Sequence, residues 1–419
     1  MIKKIIVSIS LLFSLVSFAQ EGTSSPYSFY GIGDVRFKGT IENKSMGGLS
    51  VIPDSIHLNL QNPAMYSSLK LTSFAIGGTF SANKLKTNSQ DEKAQRTTLD
   101  YLAIGLPFKK LGVAFGLLPY SSVGYNILNR NSSATILSSS LYKGSGGLNK
   151  VFAGFGYQLS KNISIGADFQ YNFGRIETTS LTEVSEIYIQ YGTKETNVSN
   201  ASGINFNTGL SYKGKINDKI MFFSGITYAP QATLTFSNVR TLATVQIVSG
   251  QTANIDEGES VELAPTKIKL PSKLSFGAGI GDTKKWVIGS EITFQNSSNF
   301  GNRFNDIDNV TYENSTKYTI GGYYIPNYKS FSNYYSRIVY RGGFRYENTG
   351  LVINNQPIDD AALTLGLGLP LKGAFSNVNV GLEIGNKGTK NAGLVREHYM
   401  NFSIGLSLND RWFQKRKFN

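Results

Sequence analysis

Residues able to carry out acid–base, nucleophilic or metal chemistry are few in this sequence. The chain has two histidines, His57 and His398, and no cysteine. A metal centre of imidazole and thiolate ligands needs more such residues than the chain contains. Ser55 lies near His57, but a hydrolase needs a base beside its nucleophile, and nothing distinctive surrounds this pair. The sequence therefore predicts a protein that is not an enzyme and has no metal or cofactor.

The remaining reactive groups are charges on the polar face of alternating segments. They are Asp168, Glu291, Arg337, Arg341, Arg345 and Glu383. Charges of both signs can form a hydrogen-bonded network. They can also line a wet channel, or bind the carboxylate of a ligand through arginine. We favour a structural network, and the other two interpretations stay open at this point.

The segments that carry these charges alternate between apolar and small or polar residues. The clearest example is 162–173, in which the residues from Ile163 to Phe173 at every second position are apolar, and those between them are polar or small. Since side chains of a β-strand point alternately to opposite faces, such a strand has one apolar and one polar face. The pattern recurs through almost the whole chain, which favours a transmembrane β-barrel over a soluble sandwich.

Connections between these segments alternate in length. The short ones are 109–110, 160–161, 214–218 and 282–284, and the long polar ones are 82–97, 121–147, 174–202 and 230–271. Outer-membrane barrels have short periplasmic turns and longer extracellular loops in this order. Thirteen segments are evident, whereas a barrel with both ends in the periplasm needs an even number. Residues 316–325 also alternate, and counting them predicts an all-β, antiparallel barrel of about 14 strands.

The N-terminus is typical of a secretory signal peptide. Lys3 and Lys4 precede the apolar run 5–16, and the small-x-small triplet 17–19 follows it. The apolar run is too short for a permanent membrane-spanning helix. We therefore expect residues 1–19 to be removed, leaving Gln20 as the mature N-terminus of a protein of the cell outer membrane. We expect residues 413–419 to form a periplasmic C-terminal tail.

Residues 20–68 do not alternate like strands. This segment has the motif Met46-Gly47-Gly48 and later Asn62-Pro63-Ala64. It suits a free tail, a small periplasmic domain or a plug within the lumen. A barrel of fourteen strands has room for a plug, since lumens outgrow side-chain filling above about eight strands. We predict that residues 20–68 form a hatch inside a barrel that extends over residues 69–412.

The order of these motifs resembles the hatch of the FadL and TodX family of outer-membrane transport proteins. The sequences GGYYIPNY at 321–328, RIVYRGGFRYE at 337–347 and GLSLNDRWFQKRKFN at 405–419 are similar to the Bacteroidota branch. The resemblance implies a fourteen-stranded exported barrel with an N-terminal hatch. It also implies a lateral opening at a defect in the third strand. Pro119 and Tyr120 mark such an opening, or else simply end that strand, predicted at 111–120.

The function that the resemblance implies is passive uptake of hydrophobic small molecules, such as long-chain fatty acids or hydrocarbons. The alternative is a non-transporting accessory barrel of an outer-membrane machine for type IX secretion or barrel assembly, with an envelope protein complex as partner. The net charge of +13 can indicate nucleic-acid binding. For an exported protein, however, outer-membrane lipid and lipopolysaccharide are the expected counter-charges, and we predict no nucleic-acid partner.

Overall fold

The computed structural model describes residues 23–133, 136–185, 191–248, 251–256, 258–301, 307, 309–371 and 375–412. The predicted signal peptide, Gln20 and the predicted tail at 413–419 lie outside the described residues. Within this part of the chain, no helix has the length and apolar character needed to cross a membrane.

A single antiparallel sheet contains every described strand and closes on itself. Its strands are β1 (Asp34–Val35), β2 (Thr72–Lys86), β3 (Asp91–Phe108), β4 (Leu111–Ser133), β5 (Ile136–Gln158), β6 (Ile163–Ser185), β7 (Tyr191–Lys215), β8 (Met221–Ala229), β9 (Ala232–Val248), β10 (Gln251–Asn254), β11 (Glu259–Leu270), β12 (Lys273–Asp282), β13 (Trp286–Gln295), β14 (Val310–Tyr312), β15 (Ser315–Tyr324), β16 (Val339–Ile353), β17 (Gln356–Pro370), β18 (Asn377–Lys387) and β19 (Arg396–Asp410). The ring closes where β19 pairs with β2, from Arg396 with Lys86 to Asp410 with Thr72.

In the described part of the chain, fourteen strands make up the wall of this ring, two of them interrupted. β8 and β9 both pair with β7 and are two halves of one strand, interrupted at Pro230. β11 and β12 pair with β9 and β8 and are likewise halves of one strand, interrupted at Pro271. Proline has no N–H to donate to a ladder, which explains why each of these strands is interrupted at a proline. β1, β10 and β14 are short additions, and the predicted count of fourteen is confirmed, with 316–325 matching β15 to within one residue.

Several segments predicted as long outer loops are instead extensions of strands. β4, β5 and β6 each have 23 residues and β7 has 25. A tilted strand needs only about 10 residues to cross a membrane. Beyond the bilayer both faces of a hairpin contact water, so the apolar alternation ends although the backbone ladder continues. The polar composition of 121–147 and 174–202 was therefore a wrong basis for predicting loops.

The outward face of the wall is apolar. Its exposed side chains include Val151, Phe155, Phe169, Ile204, Phe206, Phe276, Ile288, Phe294, Ile320, Phe344, Leu365, Phe402 and Ile404. Aromatic residues border this belt: Trp286, Tyr324 and Tyr340 are register neighbours near the short turns, while Tyr318 pairs with Tyr346 farther along the same strands. An apolar band between aromatic girdles is the lipid-facing surface of outer-membrane barrels.

The N-terminal segment, residues 23–71, contains the short helices Pro26–Phe29, Ile41–Lys44 and Pro63–Ser68 and the two-residue strand β1. Its apolar side chains pack on inward-facing residues of the wall. Leu58 and Tyr66 form one buried cluster with Tyr101, Leu118 and Phe152. Met46, Leu49 and Val51 form another with Phe223 and Val287. The segment therefore contributes to the hydrophobic core of the molecule.

Candidate functional site: the barrel interior

Glycines on the inward face of the wall form a girdle around the N-terminal segment. A Cβ added at any of them would lie about 3 Å or less from an atom of the segment: Gly105, Gly112, Gly156, Gly166, Gly209, Gly277, Gly289, Gly321, Gly343, Gly366 and Gly381. Gly112, Gly156, Gly166 and Gly209 are also register partners across four consecutive strands. Glycine in a strand marks a close approach of other backbone. Here the approaching atoms, of backbone and side chains, belong to residues 45–69.

The Met46-Gly47-Gly48 motif lies against β15, β16 and β17. Gly47 donates its N–H to Thr364 Oγ1 at 2.9 Å, and its carbonyl accepts from Thr319 Oγ1 at 3.3 Å. Gly47 and Gly48 have φ angles of +71° and +94°. These values lie in the left-handed region that glycine adopts without steric cost. The two glycines thus allow the chain to reverse while bonded to the wall on both sides.

The Asn62-Pro63-Ala64 motif lies on the opposite part of the ring. Asn62 is fully buried, accepts from Ala64 N–H at 3.1 Å and donates to the carbonyl of Leu210 at 3.3 Å. Pro63 begins the short helix that ends at Ser68. Proline at the first helical position has no N–H that needs an acceptor. The side-chain oxygen of Asn62 is thus free to cap the N–H of Ala64, while its amide nitrogen contacts β7.

The charged residues expected to face inward contact the segment as well as each other. Glu291 accepts from the N–H of Ser50 at 2.9 Å and from its hydroxyl at 2.7 Å. Glu383 pairs with Arg345 at 3.0 Å and with Lys44 of the segment at 3.6 Å. Charge-assisted bonds of this kind are about twice as strong as neutral ones. The geometry therefore agrees with a structural network.

Arg341 and Arg345 extend this network across β16 to β19. Arg341 donates to Asn379 Oδ1 at 2.9 Å, and Asn379 in turn donates to Glu42 of the segment at 2.5 Å. Arg345 also bonds Asp360 at 2.9 Å. Polar groups connected in this way satisfy one another's hydrogen-bonding capacity in an interior with little water.

Asp168 and Arg337 differ in their surroundings. Asp168 is 3% exposed and accepts from Gln170 and from Asn207, which also donates to the carbonyl of Gln61 in the segment at 3.1 Å. Arg337 does not lie on a strand. It ends a short helix, Tyr335–Arg337, before β16, with its guanidinium 5.5 Å from the Tyr334 ring. The alternation that predicted an inward Arg337 begins only at Val339.

Pro119 lies where β4 separates from β3. The two strands pair only between Leu102–Phe108 and Leu111–Leu117. Beyond Leu117, β4 pairs on that side with β1 of the segment, and its register with β5 shifts between Pro119 and Ser121. Proline cannot donate to a ladder, so a bulge or an end of pairing is expected at such a residue. We call this break in the wall, between β3 and β4 beyond Leu117, the seam.

The N-terminal segment fills the inner side of the seam. Ser121 donates its hydroxyl to the carbonyl of Ile32 at 2.7 Å, and the N–H of Gly124 donates to Ser28 Oγ at 3.1 Å. Tyr120, the second residue expected at a lateral opening, is 7% exposed and lies beneath Lys38, whose Nζ is 3.9 Å from the ring centre. The sequence located the defect at Pro119, but not the short strand Asp34–Val35 that covers it.

His57 is part of a buried polar group, not of a nucleophile–base pair. Its Nδ1 is 2.8 Å from Asp54 Oδ2 and its Nε2 is 3.6 Å from Glu42 Oε1. Burial lowers the pKa of His57, but the carboxylates of Asp54 and Glu42 outweigh burial and raise that pKa above its usual value. Among the described residues, no three or more His, Asp or Glu side chains converge as metal ligands.

A cavity of about 400 Å³ remains between the segment and the wall. Nine basic and six acidic residues are among those that line it, including most charges of the network above. Four lysines that the sequence analysis did not single out also line it: Lys38, Lys150, Lys273 and Lys317. Lys150 was detectable, because it shares the inward face of β5 with Phe152. Lys38 was not, because only the folded segment brings it to the wall.

A family model described as BamG matches residues 1–419. Similar solved structures include the toluene transporter TbuX of Ralstonia pickettii, with a TM-score of 0.59, 13% identity, and coverage of 89% of this chain and 99% of that one. The P. putida toluene transporter TodX has a TM-score of 0.57, 15% identity, and coverage of 90% and 100%. A FadL homologue of Pseudomonas aeruginosa has a TM-score of 0.61, 10% identity, and coverage of 90% and 99%. No curated relative matches the sequence. At such identities the likeness shows the fold, which is that of FadL-type outer-membrane barrels.

Proposed function

The chain belongs to the BamG family, and from this premise we propose that it is a closed, non-transporting barrel subunit of an outer-membrane protein assembly. In this role residues 20–68 are a hatch that stays in the lumen, and the barrel is a rigid body for other envelope proteins to bind. Residues 1–19 direct export and are then cleaved, and outer-membrane lipid, including lipopolysaccharide, surrounds the apolar belt.

The charged lining of the cavity is the observation that carries this proposal. A site for a hydrophobic molecule is lined mainly by apolar and aromatic side chains, with a few polar groups for orientation. Here, fifteen charged residues line about 400 Å³. An apolar molecule placed there would displace water from these charges and offer them no hydrogen bonds in exchange, which is costly. The interior is thus poorly suited to a hydrophobic substrate and well suited to holding the hatch.

The seam favours a second candidate function, the passive uptake of hydrophobic small molecules such as long-chain fatty acids or hydrocarbons. β3 and β4 separate beyond Leu117, so displacement of residues 28–36 would connect the lumen to the lipid phase. TodX and TbuX, whose fold this chain shares, are toluene transporters. In this version the segment is a gate, and the substrate passes along the seam and not through the charged cavity.

Gentle extraction of a tagged full-length chain from its native envelope distinguishes the two. The subunit proposal expects a defined complex with fixed stoichiometry that persists through size-exclusion chromatography and contains the same partners after cross-linking in intact cells. The matched control is another tagged outer-membrane barrel at the same abundance. A chain recovered alone, which also admits toluene or a fatty acid into proteoliposomes faster than empty vesicles do, would exclude the subunit role and establish the channel.

A further inference from the structure

Four lysines converge on the cavity from different parts of the chain. Lys38 belongs to the N-terminal segment, Lys150 to β5, Lys273 to β12 and Lys317 to β15. The two wall lysines Lys273 and Lys317 flank β13, where their register partners are Gln295 and Thr293. Lys150 is 3% exposed. We call these residues the lysine group.

None of the four ammonium groups has an ion pair or hydrogen bond with a described residue. The other half of the same cavity is different: Arg345 pairs with Asp360 and Glu383, and Lys387 pairs with Asp34 at 2.6 Å. Lys150 is buried and the other three lysines are half-buried. Lysines withdrawn from water are normally paired, because an uncompensated ammonium there is unstable. The lysine group is therefore the part of the cavity where negative charge is missing.

Nearby carboxylates do not supply that charge. Asp168, Glu291 and Glu347 are the acids near enough to act electrostatically on the group. Asp168 already accepts from Gln170 and Asn207, Glu291 accepts twice from Ser50, and Glu347 is 3.9 Å from Arg345. Both oxygens of Asp168, and Oε2 of Glu291 and of Glu347, are thus directed to other partners, and none of these three acids forms an ion pair with a lysine of the group.

The lysines also repel one another. Burial, and secondly the positive charge of Lys317, lower the pKa of Lys38 to about 8, although Asp168 acts in the opposite direction. Lys38 remains largely charged at neutral pH, and its Nζ lies over the Tyr120 ring. Since Lys38 is on the segment and the other three are on the wall, this repulsion opposes seating of the segment unless an anion lies between them.

We propose that the lysine group binds a phosphate group, and that this anion joins the N-terminal segment to the barrel wall. Lysine binds phosphate as a point charge, without the fixed bidentate geometry by which arginine matches carboxylate and phosphate alike. Four separate ammonium groups around one space suit a tetrahedral anion with oxygens on several sides. Thr293 and Gln295 also line the cavity. The Thr293 hydroxyl lies 2.9 Å from Ser275 Oγ, and the Gln295 amide, which has two N–H donors, uses one for Ser297 Oγ at 2.9 Å. This site goes beyond the proposed subunit role and does not depend on it.

The phosphate comes either from a small soluble molecule or from the headgroup of a phospholipid that enters at the seam. The cavity volume of about 400 Å³ exceeds the size of a phosphate ion and accommodates a headgroup. Both sources share the chemistry recognised by the lysine group, so separate titrations with inorganic phosphate and with short-chain phosphatidylglycerol distinguish them.

The test uses the purified full chain in an uncharged detergent. Binding is measured by isothermal titration calorimetry and by the rise in the midpoint of thermal unfolding that a bound ligand causes. The double variant K150Q/K273Q removes two wall charges, and K38Q removes the segment charge. The control K215Q/K219Q removes two exposed lysines near a short turn and matches the first variant in net charge. We expect wild type and control to bind at least one of the two phosphate ligands, with acetate binding at least about tenfold more weakly. A tenfold change in Kd corresponds to about 1.4 kcal/mol.

K150Q/K273Q should weaken phosphate binding by at least about tenfold, and K38Q should abolish the phosphate-dependent rise in thermal midpoint. Higher ionic strength should weaken binding, because added salt screens the charges. If the tighter ligand is inorganic phosphate, the source is soluble; if it is phosphatidylglycerol, the source is lipid. Absence of binding to both ligands, or equal binding by folded K150Q/K273Q and by the control, would overturn the proposal. If K150Q/K273Q does not fold, K38Q alone decides, since Lys38 lies outside the wall.

Discussion

Arg36 of the N-terminal segment donates its backbone N–H to the carbonyl oxygen of Tyr120 at 3.0 Å, at the position where β4 has lost β3 as its neighbour. The next residues along, Val35 and Ser121, are register partners. A piece of chain outside the wall strands thus completes a ladder that the wall leaves open. Edge strands are normally paired, covered or charged, since an open edge invites other strands. The segment covers this one.

The first prediction tests this contact with a disulfide. Directly paired antiparallel residues have Cα atoms about 4.5–5.5 Å apart, which is within the range that a disulfide bridges. The chain has no cysteine, so V35C/S121C should form one internal cross-link on oxidation, visible as a mobility shift that a reductant reverses. V35C/L128C is the control, because Leu128 lies too far along β4 to be bridged.

Cross-linking also separates the two candidate functions. A channel that opens at the seam should lose uptake when V35C/S121C is oxidised and regain it on reduction. A closed subunit should keep its partners in both states. Equal cross-linking of V35C/S121C and V35C/L128C would show that the segment does not pair with β4 at this position.

The second prediction concerns the glycine girdle. A Cβ at Gly343 would overlap the carbonyl group of Met46, whereas the nearest neighbour of a Cβ at the adjacent Gly342 is 3.9 Å away. G343V should therefore weaken seating of the segment by about 1–3 kcal/mol, the usual cost of overpacking. G342V should change it by no more than about 0.5 kcal/mol, as for surface substitutions. Protease protection of residues 23–71 measures the difference, and equal protection in the two folded variants would contradict it.

The third prediction concerns pH. Asp54 and Glu42 raise the pKa of His57 above its usual value, so protonated His57 stabilises the seated segment. This contribution is complete below the pKa of an unfolded histidine, about 6.5. It is lost as the pH rises through the raised pKa of His57. Wild type should thus lose protease protection of the segment as the pH rises above about 6.5 and through the raised pKa of His57.

H57Q is the variant that checks this pH dependence. Its amide does not titrate, so the protection of its segment should vary less with pH over the same range, whatever its absolute stability. S55A leaves the histidine in place and should keep the wild-type profile. A profile of H57Q that is superimposable on that of wild type would assign the pH dependence to other groups.

The fourth prediction is that the mature chain begins at Gln20. Signal peptidase cleaves after small-x-small triplets such as Ser17-Phe18-Ala19. N-terminal sequencing of protein from the outer-membrane fraction should therefore start at Gln20. Replacing Ala19 with a bulky residue, A19F, should leave an uncleaved precursor, while L12I should be processed normally. Recovery of the wild-type chain with Met1 retained would contradict the predicted signal peptide.

Much of the wall could be predicted from the sequence because each strand faces lipid on one side. That contrast between lipid and lumen imposes the apolar period of two seen in residues such as Ile163 and Phe169. The need for an even number of strands then pointed to β15. The lengths of β4–β7 could not be predicted, since outside the bilayer neither face is selected for apolar residues. The site was less predictable still. Lys38 and Lys150 line the same cavity only because of the path that the N-terminal segment takes. That path could not be predicted, since the segment has no periodic pattern.

The fifth prediction concerns the hatch. Deleting residues 22–60 removes most of the segment that the glycine girdle surrounds, including Met46, Leu49 and Val51, and leaves only the stretch around the Pro63–Ser68 helix. The wall pairs with itself around the ring except at the seam, so we expect the truncated barrel still to fold. Its lumen would then be open and lined by Glu291 and Glu383 without their segment partners, which water can solvate. Single-channel conductance in planar bilayers should rise from a closed baseline to a steady open level.

The comparison that makes this conductance experiment decisive is with G343V, in which the segment is present but seated less firmly. We expect brief openings from G343V, constant opening from the deletion and closed channels from G342V and wild type. Folding of each variant is checked by the resistance of the barrel to unfolding in cold detergent before it is inserted. Unchanged conductance from a folded deletion variant would mean that residues 22–60 do not close the lumen. The closed-subunit proposal would then lose its hatch, and the channel proposal its gate.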